Sequence, residues 1–489
     1  MTIKLKNATL LRTQSLINHQ WCDVKQKTFD VINPATNEVI AQVADAGAVE
    51  TQQAIDAAQQ AFPLWRDMLA RERSDILLNW YHLILQNQED LAYLMTLEQG
   101  KPLTEALGEV KYGASFLQWF AEEAVRIYGD TIPSHMANKE LLTIKQPIGV
   151  CAAITPWNFP NAMLTRKVGA AFAAGCTMVV KPSEETPLSA LALGELAMQA
   201  GVPKGVLNIV VGTDAQAIGC VLTASKVVRK LSFTGSTVVG KHLLSECAQT
   251  VKRTSMELGG NAPFIVFDDA NLEDAVTGLM ASKFRNAGQT CVCANRIIVQ
   301  EAVYDTFAKQ VVEQVAQLKM GNGLDKGVNI GPLINRKAVE KVNRLVNDAL
   351  AKGAHKLCGE INQDATNFYE PIVLTGITSD MDIAHEEIFG PVVALMAFTK
   401  EEEMIDLVNA SDAGLASYLY SENIYRVMRV SRALEYGIVG INEGLMSSTV
   451  APFGGVKYSG MGREGSKYGV DEYVEIKYIC MNVKQNIES

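Results

Sequence analysis

The sequence predicts a protein of two α/β domains, on three observations: helical periodicity over the first third, short β-rich runs alternating with helical ones from Gly149, and a second such series from Ala262. In the first third, Val49 to Phe62 repeats Ala54, Ala57, Ala58 and Ala61, and Arg73 to Leu85 sets Ile76, Leu77, Trp80, Leu83 and Ile84 on one face. Leu103 to Tyr128 continues the pattern. The β-rich runs follow at Gly149 to Thr155, Thr177 to Val180, Val206 to Val211 and Arg229 to Phe233, as a parallel sheet of βαβ units requires. Between two of them, Thr186 and Pro187 read as the N-cap and first turn of a helix through Ala200, ended by Gly201 and Pro203. The second series contains Ile265 to Phe267, Ile297 to Val299 and Val392 to Phe398, and turn residues place the boundary between the domains near Gly259 and Gly260.

Composition narrows the function. The 489 residues carry 44 Lys and Arg against 54 Asp and Glu, a net charge of −10 with both signs interspersed, so nucleic acid is not an expected partner. The longest apolar run, Val168 to Val180, is too short for the ~20 residues a membrane-spanning helix needs. Lys4, Lys6, Arg12 and His19 interrupt any signal-type segment, and nine cysteines lack a framework spacing; a cytoplasmic place is expected. The six histidines show no metal-ligand spacing, so no metal is expected.

Gly235 to Lys241, G-S-T-V-V-G-K, follows a strand and opens a helix, with the spacing of a phosphate loop. His242 stands where a nucleotide triphosphatase needs Ser or Thr for magnesium. A packing turn and a dinucleotide site remain as readings, because helix N-terminal amides bind pyrophosphate even without a G-x-G-x-x-G fingerprint. Three further segments carry chemistry. Cys291 follows the polar turn R-N-A-G-Q-T, where Asn286, Gly288, Gln289 and Thr290 are poor core neighbours and a thiol meets a ligand. Glu257 ends a β-type run before the double glycine of M-E-L-G-G-N. T-P-W-N-F-P at Thr155 to Pro160 stiffens a loop at a strand's C-terminal end and aims the Asn158 amide.

With K-P-S-E at Lys181 to Glu184, E-E-I-F-G-P at Glu386 to Pro391, A-P-F-G-G at Ala451 to Gly455 and G-R-E-G-S-K-Y-G at Gly462 to Gly469, these segments resemble the aldehyde dehydrogenase superfamily over nearly the whole chain. Within it the likeness is to the succinate-semialdehyde dehydrogenases. The resemblance implies a Rossmann-like cofactor domain (1–128 and 149–259), an α/β catalytic domain (260–460) and a small β oligomerisation element (129–148 and 473–489) that makes a homodimer or homotetramer.

It also implies roles. Cys291 would be the nucleophile, Glu257 the base for hydrolysis of the acyl-enzyme, and the Asn158 side chain with the Cys291 N–H the oxyanion donors. Trp157, Lys181, Glu184, Gly235, Ser236, Glu387 and Phe389 would bind the cofactor. Arg166, Arg285 and Ser447 would bind the distal carboxylate of a small carboxylated aldehyde, succinate semialdehyde or its five-carbon homologue; a salt bridge is the alternative for each arginine. Cys293 would be a redox partner of Cys291. A carboxylate at Glu184 accepts the ribose hydroxyls of NAD and repels the 2′-phosphate of NADP, so NAD is the expected cofactor and NADP the less favoured one. The family's acidic residue in the G-S-T turn is Val238 in this chain.

Overall fold

The computed structural model describes residues 3–24 and 27–483. Its first sheet has eight strands, in the order Gln20–Cys22, Ser15–Ile17, Leu207–Ile209, Thr177–Lys181, Val150–Ile154, Val228–Thr234, Arg253–Glu257 and Gly460–Met461. The five from Leu207–Ile209 to Arg253–Glu257 are parallel. From Val150–Ile154 the chain first adds strands on one side and then, at Val228–Thr234, on the other. That reversal opens a crevice beyond the C-terminal ends of these two strands, where ligands bind in open α/β sheets.

The alanine-rich helix Ala48–Asp67 packs on this sheet because its small face permits close approach; the Thr177 hydroxyl donates to the Ala58 carbonyl at 3.0 Å. The helix expected over 103–128 ends at Ala124. It crosses the helix Pro160–Ala174 where Gly113 and Gly169 remove side-chain bulk: a Cβ at Gly113 would lie 3.3 Å from the backbone of Ala162. Trp65 meets the edge of Phe172 beside them, 5.5 Å between ring centroids, and burial of a ring such as Phe172 contributes roughly 1.5–3 kcal/mol.

The second sheet has seven strands, in the order His355–Cys358, Ile372–Thr375, Val392–Phe398, Ala294–Gln300, Ala262–Val266, Ala416–Tyr420 and Ile438–Ile441, parallel except at the first pair. The chain leaves the C-terminal end of Arg253–Glu257 and, through Gly259 and Gly260, enters the N-terminal end of Ala262–Val266. The C-terminal edge of one sheet therefore faces the N-terminal edge of the other. A third sheet joins Thr131–Ile132, Lys139–Pro147 and Val474–Asn482, the last two antiparallel over nine residue pairs. Of the expected oligomerisation element, 484–489 lie outside the described residues.

Candidate active site

The crevice between the sheets holds a cavity of about 380 Å³ lined by Trp157, Asn158, Gly235, Ser236, Glu257, Cys291, Glu387 and Phe389, among others. Each side chain arrives from a strand terminus. Trp157 and Asn158 follow Val150–Ile154, Gly235 and Ser236 follow Val228–Thr234, and Glu257 ends Arg253–Glu257. Cys291 and Glu387 come from the other side, just before the strands Ala294–Gln300 and Val392–Phe398.

The Cys291 loop is a left-handed turn: Asn286, Ala287 and Gly288 have φ of 51°, 53° and 77°. Two non-glycine residues in that region cost energy that surrounding contacts must offset. Those contacts are amide hydrogen bonds. Asn286 donates its side-chain N–H to the Asn158 carbonyl (3.1 Å), and its backbone N–H to Glu105 (2.7 Å). Gln289, fully buried, donates to the Asn286 carbonyl (3.0 Å) and accepts from the Ile334 N–H (2.9 Å). Asn286 and Gln289, which the sequence marked as poor core neighbours, are buried after all and build the loop. The Asn158 Nδ2 donates to the Gln289 carbonyl at 3.0 Å, and an amide has a second hydrogen to offer.

Burial, reinforced by the Glu387 and Glu257 carboxylates, pushes the Cys291 thiol up to about 12, so it needs a base. Glu257 and Glu387 are the carboxylates of the same cavity. The buried Glu257 oxygens have no hydrogen-bond partner among the described residues, and burial, then the nearby Glu464, raise Glu257 well above the usual carboxylate range, against Lys167, Arg166 and Arg463. Gly454 of the A-P-F-G-G segment makes room for it: a Cβ there would lie 2.9 Å from Glu257 Oε1.

Glu387 accepts from the Gly260 N–H at 3.1 Å and is pushed to about 7 by burial. Its loop is tied to the Gly259–Gly260 turn through Asn295, which donates to Asn261 (2.6 Å) and accepts from the Ile388 N–H (2.8 Å). Phe389, at φ 56°, meets Trp157 edge to face at 5.6 Å.

Lys181 and Glu184 lie outside this cavity, at the end of Thr177–Lys181, joined by an ion pair of 2.9 Å. Ser236 caps the helix Thr237–Ala248, accepting from the Val239 N–H at 3.4 Å. Lys241 does not turn back to that N-terminus: its Nζ lies over the Tyr458 ring at 3.4 Å, and the phosphate-loop reading fails. Val238 is exposed. A dinucleotide fits the crevice: the helix N-terminus offers amides for a pyrophosphate, and the buried Thr234 hydroxyl and the Glu387 carboxylate face the space beyond it.

The expected substrate residues separate. Arg285 and Ser447 share a second cavity of about 470 Å³, with Tyr112, Glu105 and Leu445 on its walls. Arg285 stacks on Phe159 (4.8 Å) and among the described residues forms no ion pair. Arg166 lines neither cavity. Only 2% exposed, it pairs with Glu464 (3.4 Å), donates to the Tyr112 hydroxyl (2.8 Å) and lies over the Phe453 ring (4.3 Å). The salt-bridge reading of Arg166 describes its position, since a cation this deep needs a carboxylate partner. Cys293 is buried, its thiol directed at the carbonyls of Lys283 (3.6 Å) and Ala294 (3.5 Å), and both it and Cys291 are free thiols.

Sequence reasoning missed Lys167 and Glu464. Lys167 donates to Ser232 (2.9 Å) and pairs with Glu464, which Lys167 and Arg166 hold below its ordinary value although burial opposes them. The signal was present: two consecutive cations, Arg166 and Lys167, open an otherwise apolar run. No helix among the described residues is long and apolar enough to cross a membrane.

The parallel-sheet crevice thus sets a helix N-terminus that can take a dinucleotide against a thiol, a buried carboxylate and an amide, an arrangement fit for an oxidoreductase. Residues 21–479 match the aldehyde dehydrogenase family, to which the chain belongs. A succinate-semialdehyde dehydrogenase of Escherichia coli (strain K12), named for NADP, is 56% identical over 483 residues, 98% of this chain and 100% of that protein. A glutarate-semialdehyde dehydrogenase of Pseudomonas putida is 57% identical over 482 residues, again 98% and 100%. The crystal structure of succinate-semialdehyde dehydrogenase from Burkholderia pseudomallei has a TM-score of 0.97 at 56% identity, covering 98% of this chain and 100% of that one. The aldehyde dehydrogenase fold is thereby established.

Proposed function

We propose that the protein oxidises succinate semialdehyde to succinate with NAD, through a thioester on Cys291. The observation that supports the carboxylated substrate is Arg285, a cation without an ion-pair contact among the described residues, which shares a cavity with the Ser447 hydroxyl and with Glu105, whose carboxylate is engaged by the Asn286 N–H. A cation left this way is matched by an anion on the ligand. Cys291 gives up its proton to Glu257 and attacks the aldehyde carbon, while Asn158 and the Cys291 N–H hold the oxyanion. A nicotinamide held by Glu387 and Phe389 would supply the hydride acceptor. Glu257, having passed the Cys291 proton to solvent, then draws a proton from the water that cleaves the thioester, releasing the acid and the Cys291 thiolate.

The cofactor preference rests on the repulsion between Glu184 and a 2′-phosphate. A second reading, NADP, is favoured by two observations: Lys181 already neutralises Glu184 at 2.9 Å, and the E. coli relative is named for NADP. Likewise the P. putida relative favours the five-carbon glutarate semialdehyde as a second substrate reading. Reduced-nicotinamide absorbance with succinate and glutarate semialdehydes, a sulfonated aldehyde and propanal, each with NAD and NADP, separates these readings. A kcat/KM with NADP equal to or above that with NAD would refute the NAD preference.

Arg285→Ala is expected to raise KM for succinate semialdehyde by about 10- to 100-fold, from a charge-assisted hydrogen bond of ~1.5–3 kcal/mol, while sparing propanal. Equal losses on both would refute the carboxylate role. Arg166 would act behind the substrate wall, through Tyr112. Cys293 remains a proposed redox partner, whose buried thiol must first turn toward Cys291; peroxide inactivation reversed by dithiothreitol, and irreversible in Cys293→Ala, tests it. The nine free thiols support a cytoplasmic place, and the third sheet supports a homodimer or homotetramer.

A further inference from the structure

Two buried charges take no part in the chemistry so far. Lys101 follows Gly100, which ends the helix Gln88–Gln99, and Glu109 lies two turns into the next helix, Leu103–Ala124. Lys101 is 2% and Glu109 1% exposed, and they form an ion pair. Both also hold one loop. The Lys101 ammonium donates to the Asn158 carbonyl at 2.7 Å and lies over the Phe159 ring at 4.1 Å. Glu109 accepts from the N–H groups of Asn161 (3.0 Å) and Ala162 (3.3 Å), at the start of the helix Pro160–Ala174.

We propose that Lys101 and Glu109 are positioning residues: a buried clamp that sets the direction of the Asn158 side chain toward the oxyanion. The proposal rests on the reading of Asn158 as an oxyanion donor. The clamp grips the loop on both sides of Phe159, at the carbonyl of residue 158 and the amides of 161 and 162. With the carbonyl held, the direction of the Asn158 Cα–Cβ bond is held too. Stability alone is a poor reason for such a pair, since the cost of desolvating two charges cancels much of their attraction and apolar residues of similar volume serve as well. A point charge donating to one carbonyl supplies direction, which an apolar pair does not.

The test is a mutant cycle on the purified full-length enzyme. Lys101→Met and Glu109→Gln are each made in the native and in the Asn158→Ala background, and thermal melting, kcat and both KM values are measured, succinate semialdehyde and dinucleotide each varied with the other saturating. Lys101→Met is expected to lower kcat about 10- to 100-fold, the scale of a misplaced oxyanion donor, and to change the KM for dinucleotide by less than about threefold. In the Asn158→Ala background the same change is expected to cost less than about threefold, because the amide it aims is gone. Lys101→Arg, which keeps a cationic donor, is expected to restore part of kcat. Equal losses in both backgrounds, or unchanged kcat in folded Lys101→Met, would overturn the clamp. If Lys101→Met does not fold, Glu109→Gln is compared in the same two backgrounds, and there too equal losses or an unchanged kcat would overturn the clamp. An Asn158→Ala enzyme with unchanged kcat overturns the reading of Asn158 and the clamp's purpose together, which distinguishes that failure from failure of the clamp alone.

Discussion

Glu257 shows how one residue's surroundings determine its use. In its buried site the charged form is disfavoured, first by desolvation and then by Glu464, so its proton leaves at higher pH than from an ordinary glutamate. The base is the ionised form, and therefore kcat is expected to fall as pH drops through this raised value and to rise on the alkaline side. Removing the neighbouring negative charge in Glu464→Gln also frees Lys167, and both changes favour ionisation; the rising limb of the pH–kcat profile should shift to lower pH. A shift to higher pH would contradict the assignment of Glu464 as the group that raises Glu257. Glu257→Gln removes the base for both the thiol and the water, so the first turnover and the steady state are both expected to slow, by about 10²- to 10⁴-fold, as quenched-flow kinetics would register. The identity of these residues was legible in the motifs. Their protonation was not, because burial is a property of neighbours far away in the chain.

At the scale of elements, the Cys291 loop and the E-E-I-F-G-P loop depend on each other's backbone. Gly288 has φ 77°, and a Cβ on it would lie 2.3 Å from the Gly390 carbonyl oxygen. Gly288→Ala is therefore expected to move the nucleophile as well as strain the turn, lowering kcat by about 10²-fold or more while costing at least ~1 kcal/mol of stability. Circular dichroism melting and steady-state kinetics on the same preparation check both. Gly260 is constrained by contact alone: a Cβ there would lie 2.3 Å from the Cys291 carbonyl oxygen. The sequence announced these glycines as turn residues, but which atoms they let approach depended on the second sheet. Its periodicity likewise located the helices, though Leu103–Ala124 stops short of its expected end and the run at 206–211 forms only the three-residue strand Leu207–Ile209.

Across the whole molecule, the strand Val474–Asn482 pairs along one side with Lys139–Pro147 and leaves Ile476, Tyr478 and Met481 exposed. A long edge strand with exposed apolar side chains is a liability unless another surface covers it. Sedimentation analysis is expected to find a dimer or tetramer, and Ile476→Lys with Tyr478→Lys to shift it toward the monomer. A monomeric parent enzyme would remove this reading of the third sheet.

Alternating β-rich and helical runs required parallel sheets, and the ordered motifs singled out Cys291, Glu257 and Asn158, because these are properties of local pattern and residue type. The end-to-end meeting of the two sheets was decided only by tertiary structure. It carries Cys291 and Glu387 from N-terminal strand ends to Asn158 and Glu257 at C-terminal ones, encloses Arg166 with Glu464, and sets Arg285 with Ser447 in a second cavity. Charge pairing and burial are sums over contacts between segments hundreds of residues apart, and no window of the chain contains them.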